Sequence, residues 1–298
     1  MPGPPSTVVP EAPDRPRGLA AGVVAMSTGA VSNQTGAAIG ANAFAQIGPA
    51  GVVAVRQFIA AAVLLAVVRP RLRELTTEQW RPIAGLALVF ATMNITLYGA
   101  IDRIGIGLAV TLEFLGPLAV ALAASRSRRD LALAVVSGAG VYVLVLPGPS
   151  SDWTGVGLGV AAGACWAAYI LLNRRVGAVV PGLTGTAAAT ALSATLYVPV
   201  AIVVVAHRGL PAEALGLAVL TGLLSSVVPY VADLLSLRVV PAHAFGVFMS
   251  INPVIAALAG VALLGQVPES HEVVGIAVIV GVNAVAVASR GRGAPRTV

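Results

Sequence analysis

The most informative segment of the chain spans residues 104–124 and reads IGIGLAVTLEFLGPLAVALAA. Glu113 lies near its middle. A carboxyl this deep in an apolar helix is energetically costly, so a functional role is the default interpretation. Pro117 follows four residues later and has no amide hydrogen, so it leaves the carbonyl of Glu113 without its helical donor. Irregular backbone in a bilayer occurs only beside protein or a water-filled cavity. The segment therefore predicts a kinked membrane helix with a functional carboxyl at the kink.

Composition extends this interpretation to the whole chain. Of its 298 residues, 57% are hydrophobic and 10% are charged, and the mean hydropathy is +0.92. A soluble globule of this size needs more polar surface than these residues provide. We therefore expect an all-α integral membrane protein.

Apolar runs long enough to cross a bilayer recur along the chain. A membrane-spanning helix needs about 17 to 25 such residues, and the connections between the runs are too short for a soluble domain. Residues 1–18 and 290–298 form a Pro-rich and a basic tail, both expected to be disordered. The ten predicted helices are 19–41, 50–68, 82–101, 105–124, 131–147, 155–173, 184–206, 214–237, 242–264 and 273–289.

Arginine sets the expected orientation, because the chain contains no lysine. With both termini in the cytoplasm, 15 of the 18 basic residues fall in cytoplasmic loops and tails; Arg103 and Arg208 lie outside, and Arg56 lies within a helix. This asymmetry predicts a multi-pass protein of the inner (cytoplasmic) membrane. The pI near 10.4 then reflects this topology in a membrane whose lipids surround the helices, and no nucleic-acid partner is expected, since no basic face with interleaved aromatics occurs.

The two halves of the chain resemble each other at an offset of 136 residues. This offset places residues 117–122 on 253–258, including Pro117 on Pro253, and Asn94 on Tyr230. A duplicated unit of five helices must insert in the opposite sense, with a site expected near the midplane between the copies. The predicted fold is therefore ten transmembrane helices in two inverted five-helix repeats, residues 19–147 and 148–289.

Several motifs together resemble the threonine/homoserine exporter branch of the EamA-type drug/metabolite transporters. They are AVTLEFLGPLAVAL at 109–122, Met93-Asn94, GACWAAY at 163–169, Pro229-Tyr230 and FGVFMS at 245–250. The resemblance implies an exporter of small amino acids or similar metabolites, driven by the proton gradient. Its partners would be protons and a small-molecule substrate, with no cofactor.

The candidate site residues are polar or aromatic side chains within the predicted spans. Glu113 and Asp233 are candidates for proton coupling. Neutral side chains hold a substrate or, equally often, join helices, and Glu113 has an alternative role in a structural ion pair with Arg56. The candidates for substrate binding are Asn33, Gln34, Asn94, Tyr98, Glu113, Trp166, Tyr169, Tyr230 and Asn252.

Two other function classes stand beside proton-coupled amino-acid export. One is a transporter of the same fold with a different substrate, such as a lipophilic cation or a nucleotide sugar, although an anionic sugar nucleotide needs more cavity-facing cations than Arg56. The other is an integral membrane enzyme, which needs clustered carboxylates or His/Cys ligands. Cys165 is the single cysteine, and the three histidines are scattered, so this class and a metal site are disfavoured.

Overall fold

A computed structural model describes residues 15–123, 127–146, 151–180, 182–229, 231–232, 240 and 248–291. Within these residues the secondary structure is helical and contains no strand. The described helices are α1 (Arg15–Ala41), α2 (Phe44–Val68), α3 (Thr77–Glu113), α4 (Leu115–Ala123), α5 (Arg128–Val145), α6 (Trp153–Val179), α7 (Thr184–Leu196), α8 (Val198–Arg208), α9 (Ala212–Gly222), α10 (Asn252–Leu264) and α11 (Ser270–Gly291).

The long apolar helices confirm the expectation of an all-helical membrane protein. Five stretches are long and apolar enough to cross a bilayer, and residues 212–227 and 252–264 form shorter apolar helices. Helix α1 is not among the five, in keeping with the polar residues noted in its sequence. It begins at Arg15, so residues 15–18 of the expected tail are helical; most of that tail, and residues 292–298 of the other, lie outside the described residues.

The longest apolar stretch, Thr77–Val120, contains 44 residues. As a straight helix it would be about 66 Å long, against about 30 Å of hydrocarbon. It is interrupted at Gly105, whose φ of 79° and ψ of 161° lie in a region that only glycine adopts readily. The backbone N–H of Ile106, just after the interruption, donates a hydrogen bond to the side-chain oxygen of Gln266 at 3.1 Å.

The chain reverses direction at Gly105, as its neighbours on α6 show. Before the interruption, Gly85 lies beside Leu172 and Gly99 beside Leu158, so the residue numbers on α6 fall as those on α3 rise. After it, Leu112 lies beside Gly159 and Gly116 beside Gly163, so both sets of numbers rise together. The first part of the stretch therefore runs antiparallel to α6 and the second part runs parallel to it. Two spans meet at Gly105, where the sequence placed the boundary between its third and fourth helices.

Three further interruptions lie close to prolines. Helix α3 ends at Glu113 and α4 begins at Leu115, two residues before Pro117. Tyr197 separates α7 from α8, just before Pro199, and the turn at 250–251 precedes Pro253 at the start of α10. Each proline removes one helical hydrogen bond, and the breaks before Pro117 and Pro253 correspond at the same offset of 136 residues.

Glycine allows close contact between helices around the middle of the fold. A Cβ on Gly116 of α4 would overlap the carbonyl group of Gly163 on α6. On α1, a Cβ at Gly36 would overlap the side chain of Ser225, in the π-helical turn Leu223–Val227 that follows α9. Small residues at such crossings bring backbones together and are typical of membrane helices.

We expect Gly116→Ala to lower the stability of the folded protein by about 1–3 kcal/mol, because the added methyl group has no space. Gly157→Ala is the matched control: it lies on α6 with nothing within 4 Å of an added Cβ, so it should be neutral or slightly stabilising. Thermal unfolding of the purified variants in detergent measures both. Equal melting temperatures for the two variants would contradict the close contact of α4 with α6.

Candidate functional site

A central cavity of about 160 Å³ lies between α1, α2, α6 and the two spans that meet at Gly105. Seven of the candidate residues chosen from the sequence line it: Asn33, Gln34, Arg56, Asn94, Tyr98, Glu113 and Trp166. Apolar residues complete its wall: Ala37, Met93, Leu97, Ile101 and Val110. The cavity therefore brings one acid, one base and several neutral polar groups together, from helices far apart in sequence.

Glu113 reaches the cavity from the C-terminal end of α3, directly before the break at Phe114. Its side chain is buried, with 6% of the residue exposed. In the part of the chain that the structure describes, the Glu113 carboxyl accepts no hydrogen bond and forms no salt bridge with Arg56. The alternative of a structural Glu113–Arg56 ion pair is thus not formed in this structure, although both side chains border the same space.

Arg56 is held by three hydrogen bonds and an aromatic ring. Its Nη1 donates to Asn94 Oδ1 at 2.7 Å, its Nη2 to the carbonyl of Ser225 at 3.1 Å, and its Nε to Ser226 Oγ at 3.3 Å. The guanidinium carbon also lies 5.3 Å from the centre of the Tyr98 ring, within the range of a cation–π contact. These contacts fix the guanidinium at the edge of the cavity.

The Ser225 carbonyl is available to Arg56 because of Pro229. Proline cannot donate to the carbonyl four residues before it, which here is the carbonyl of Ser225. Ser225 lies within the π-helical turn Leu223–Val227. The same turn is tied to α1, since Ser32 Oγ donates to the Leu224 carbonyl and Ser225 Oγ donates to the Asn33 carbonyl, each at 2.8 Å. The candidate list from the sequence omitted Ser225 and Ser226; a serine pair shortly before a membrane proline is the signal that points to them.

Tyr98 presents a polar group without a partner. The residue is fully buried, its ring packs against Phe44 with centroids 6.0 Å apart, and its hydroxyl has no hydrogen-bond partner among the described residues. A buried unpaired hydroxyl costs stability. Other atoms of Tyr98 border the central cavity.

Asn94 joins two helices, which is one of the two roles that the sequence left open. Its Oδ1 accepts from Arg56, and its Nδ2 donates to the Phe90 carbonyl one turn earlier at 2.8 Å. Asn94 therefore holds Arg56 in place, and its amide keeps one N–H and one oxygen lone pair for a further hydrogen bond.

Four other candidates do not line the cavity or cannot be placed. Tyr169 packs in a neighbouring hydrophobic cluster, with its ring 5.4 Å from that of Phe90. Asn252 lies behind the wall, where its Oδ1 accepts from Gln34 Nε2 at 3.2 Å, so it orients a lining residue. Tyr230 and Asp233 lie outside the described residues. Trp166 does line the cavity, with its ring edge against Phe114 at 4.6 Å between centroids.

A second cavity of about 320 Å³ adjoins the turn at Gly105. Asp102, Arg103, Gln266 and Glu272 give it a polar wall, and Ile101 lines both this cavity and the central one. Beside it, Arg103 forms a salt bridge with Asp152 at 3.0 Å. The backbone N–H of Gly155 and the Arg103 guanidinium hold the pKa of Asp152 below its ordinary value.

No group of three or more metal-ligating side chains occurs among the residues that the structure describes. The central cavity offers hydrogen-bonding groups and two opposite charges. Such an arrangement is suited to a small polar molecule.

Comparison with known proteins gives three kinds of similarity. A model of the EamA-like transporter family matches residues 153–287. The threonine/homoserine exporter RhtA of Salmonella typhimurium strain LT2 is 32% identical over 264 residues, which cover 88% of each chain. The threonine/homoserine exporter RhtA of Escherichia coli strain K12 is 30% identical over 264 residues, or 88% of this chain and 89% of that one.

A protein of known crystal structure shares the fold. The two chains align with a TM-score of 0.60 and 19% identity, over 94% of this chain and 100% of the other. At this identity the likeness concerns the fold alone. The alignment covers most of the chain, so the helical fold described above is shared over nearly its whole length.

We expect Tyr98→Phe to leave the melting temperature unchanged or to raise it, because the variant removes a buried hydroxyl that has no partner. Tyr197→Phe is the matched control, since the Tyr197 hydroxyl donates to the Ala91 carbonyl at 2.5 Å. Its loss should lower stability by about 1 kcal/mol. Thermal unfolding in detergent compares the two, and a Tyr98→Phe variant as unstable as Tyr197→Phe would show that the Tyr98 hydroxyl is already bonded.

Proposed function

Since this chain belongs to the EamA-like transporter family, we propose that it exports small amino acids of the threonine or homoserine kind, or related metabolites, by proton antiport. The chain is a multi-pass membrane transporter, as its helices and relatives show. Its relatives are exporters, so the membrane enzyme considered above is set aside. The substrate, the coupling ion and the direction of transport are our proposal.

The observation that carries this proposal is Glu113 in the small central cavity. Pockets for drug-sized ligands measure about 300–1,000 Å³, whereas this cavity holds about 160 Å³. Such a volume favours a small metabolite over a lipophilic drug or a nucleotide sugar. Among the described residues that line it, Arg56 is also the one basic residue, which is too few for a sugar nucleotide.

Glu113 couples proton and substrate because the carboxyl cannot hold both at once. A carboxyl removed from water is stable when it is protonated or when a cation neutralises it. The ammonium group of an amino acid and a proton therefore compete for Glu113. Release of substrate on one side of the membrane lets a proton bind, and release of that proton on the other side restores the site for substrate.

Asp233 stays a second proposed coupling residue, and Tyr230 a proposed binding residue; both lie outside the described residues.

The second cavity supports an outward exit path. It lies near the Gly105 turn, and Ile101 separates it from the central cavity. Export then requires Ile101 and its neighbours to move apart.

We further propose two inverted repeats of five helices, residues 19–147 and 148–289. The reversal at Gly105 supports five spans in the first half. The family model matches residues 153–287, which lie within the second repeat, and the breaks before Pro117 and Pro253 fall at equivalent positions. Supporting groups for the cavity, Ser225, Ser226 and Asn252, come from the second half, as a site between two repeats requires.

Glu113→Gln keeps the shape of the side chain and removes its ionisable group. In proteoliposomes with an imposed pH gradient, we expect this variant to lose gradient-driven transport of labelled threonine or homoserine, down to the level of empty liposomes. Exchange of labelled for unlabelled substrate moves no net proton, so it should persist at high substrate concentration, with a raised half-saturating concentration because the ammonium group loses its carboxylate partner.

The matched control for this experiment is Glu213→Gln, an exposed carboxyl at the start of α9 that accepts a hydrogen bond from Gln46 at 3.4 Å and lies away from the cavity. It should transport as the wild type does. Full gradient-driven transport by Glu113→Gln would exclude the coupling role. Transport of cationic dyes in place of amino acids would favour the alternative substrate class.

The arginine distribution predicts that both termini and the loop holding Arg71 face the cytoplasm, while Glu269 faces outward. Both side chains are exposed, at 82% for Arg71 and 78% for Glu269. In a Cys165→Ser background, Arg71→Cys and Glu269→Cys should react with an impermeant thiol reagent from opposite sides of the membrane. Labelling of both from the same side would contradict the orientation.

A further inference from the structure

We propose that Arg56 binds the carboxylate of the transported molecule, so that the transporter recognises zwitterionic amino acids by both charged ends. Glu113 takes the ammonium group, as proposed above, and Arg56 takes the carboxylate across the same cavity. This inference rests on the proposed function and narrows its substrate class. It assigns to Arg56 a binding role in place of the structural one considered from the sequence.

The hydrogen bonds of Arg56 leave room for a carboxylate. A guanidinium group has five N–H donors, and three of them are used, one on each nitrogen: Nε to Ser226, Nη1 to Asn94 and Nη2 to Ser225. One N–H therefore remains on Nη1 and one on Nη2. Two donors on the two terminal nitrogens match the two oxygens of a carboxylate, which arginine binds in this paired manner more readily than lysine does.

Arg56 also forms no direct ion pair within the part of the chain that the structure describes. No carboxylate among the described residues forms a salt bridge with it, and its three acceptors are neutral. An arginine within a membrane span is costly and is stabilised by a partner or by water. A ligand carboxylate supplies the missing negative charge, while the ligand ammonium supplies the missing positive charge to Glu113.

The separation of the two side chains agrees with a ligand between them. Arg56 and Glu113 line one cavity without direct contact. A molecule that bridges them must place an anion and a cation a few atoms apart, as an α-amino acid does. A cationic drug meets only Glu113 and is repelled by Arg56, and a simple carboxylate meets only Arg56 and is repelled by Glu113.

Asn94 and the serines act in this site as positioning residues. They hold the guanidinium with its free N–H groups available, and the Tyr98 ring covers it at 5.3 Å. The alternative is that Arg56 serves only to tie α2 to the π-helical turn of the second half. A purely structural arginine affects folding and stability but not the choice between a carboxylate ligand and its neutral analogue.

The test measures this choice directly. Purified full-length protein is titrated with threonine, homoserine, serine and alanine, and with the carboxamide of each, by calorimetry and thermal shift. For the wild type, the carboxamide should bind on the order of 10- to 100-fold more weakly than the amino acid, because a charged hydrogen-bonded contact is lost. In Arg56→Gln this ratio should fall to about one.

Gln57→Ala is the matched control, since Gln57 is the next residue of α2, lies outside the cavity wall and donates to Ser193 Oγ at 2.7 Å. It should lower the melting temperature and keep the wild-type ratio. Arg56→Lys provides a second variant in case Arg56→Gln does not fold: it keeps the charge, loses the paired donors, and should give an intermediate ratio.

Three results would overturn the inference: equal binding of acid and carboxamide by the wild type, an unchanged ratio in Arg56→Gln or Arg56→Lys, or no binding of any amino acid tested. Transport driven by the pH gradient is measured on the same preparations. A wild type that discriminates acid from carboxamide but shows no gradient-driven transport would contradict the proposed proton antiport and leave the role of Arg56 standing.

Discussion

A backbone group that leaves its helical ladder inside a bilayer has no water to bind, and much of this structure follows from that constraint. The chain breaks its helices at Gly105, Phe114 and the turn before Pro229. At Gly105, the Gln266 side chain accepts the N–H of Ile106. Before Pro229, Arg56 donates to the Ser225 carbonyl. At these two places a side chain from the other half of the chain bonds the backbone group, and the two contacts join the halves around the cavity.

The constraint also explains why the cavity holds its charges apart. Arg56 uses part of its donor capacity to satisfy backbone and neutral side chains, so it does not need Glu113 as a partner. Glu113 lies at the end of α3, where its side chain borders the cavity. A direct ion pair would fill that space and remove both charges from a ligand. Under the proposed function, the separated arrangement leaves both charges for a ligand.

Close packing by glycine positions these groups. The contact of Gly116 with Gly163 brings α4 against α6 immediately after Glu113, and the contact of Gly36 with Ser225 brings α1 against the turn that supports Arg56. At these places the distance between helices is set by backbone rather than by flexible side chains. Around them, a second layer of polar contacts, such as Asn252 with Gln34, orients the cavity wall.

The sequence by itself determined the class of the protein and most helix positions, and it selected Glu113 and Arg56, which the structure places on the cavity wall, and the prolines, which lie beside helix breaks. Hydropathy, proline and charge act locally, so they can be read along one chain. Contacts between helix faces depend on how distant segments meet, and only the tertiary structure decided these. It turned Asn94 towards Arg56, placed Tyr169 in a neighbouring cluster, kept Glu113 and Arg56 apart, and brought in Ser225 and Ser226. Each outcome depends on helix rotation and crossing, which an apolar sequence with many similar faces leaves undetermined.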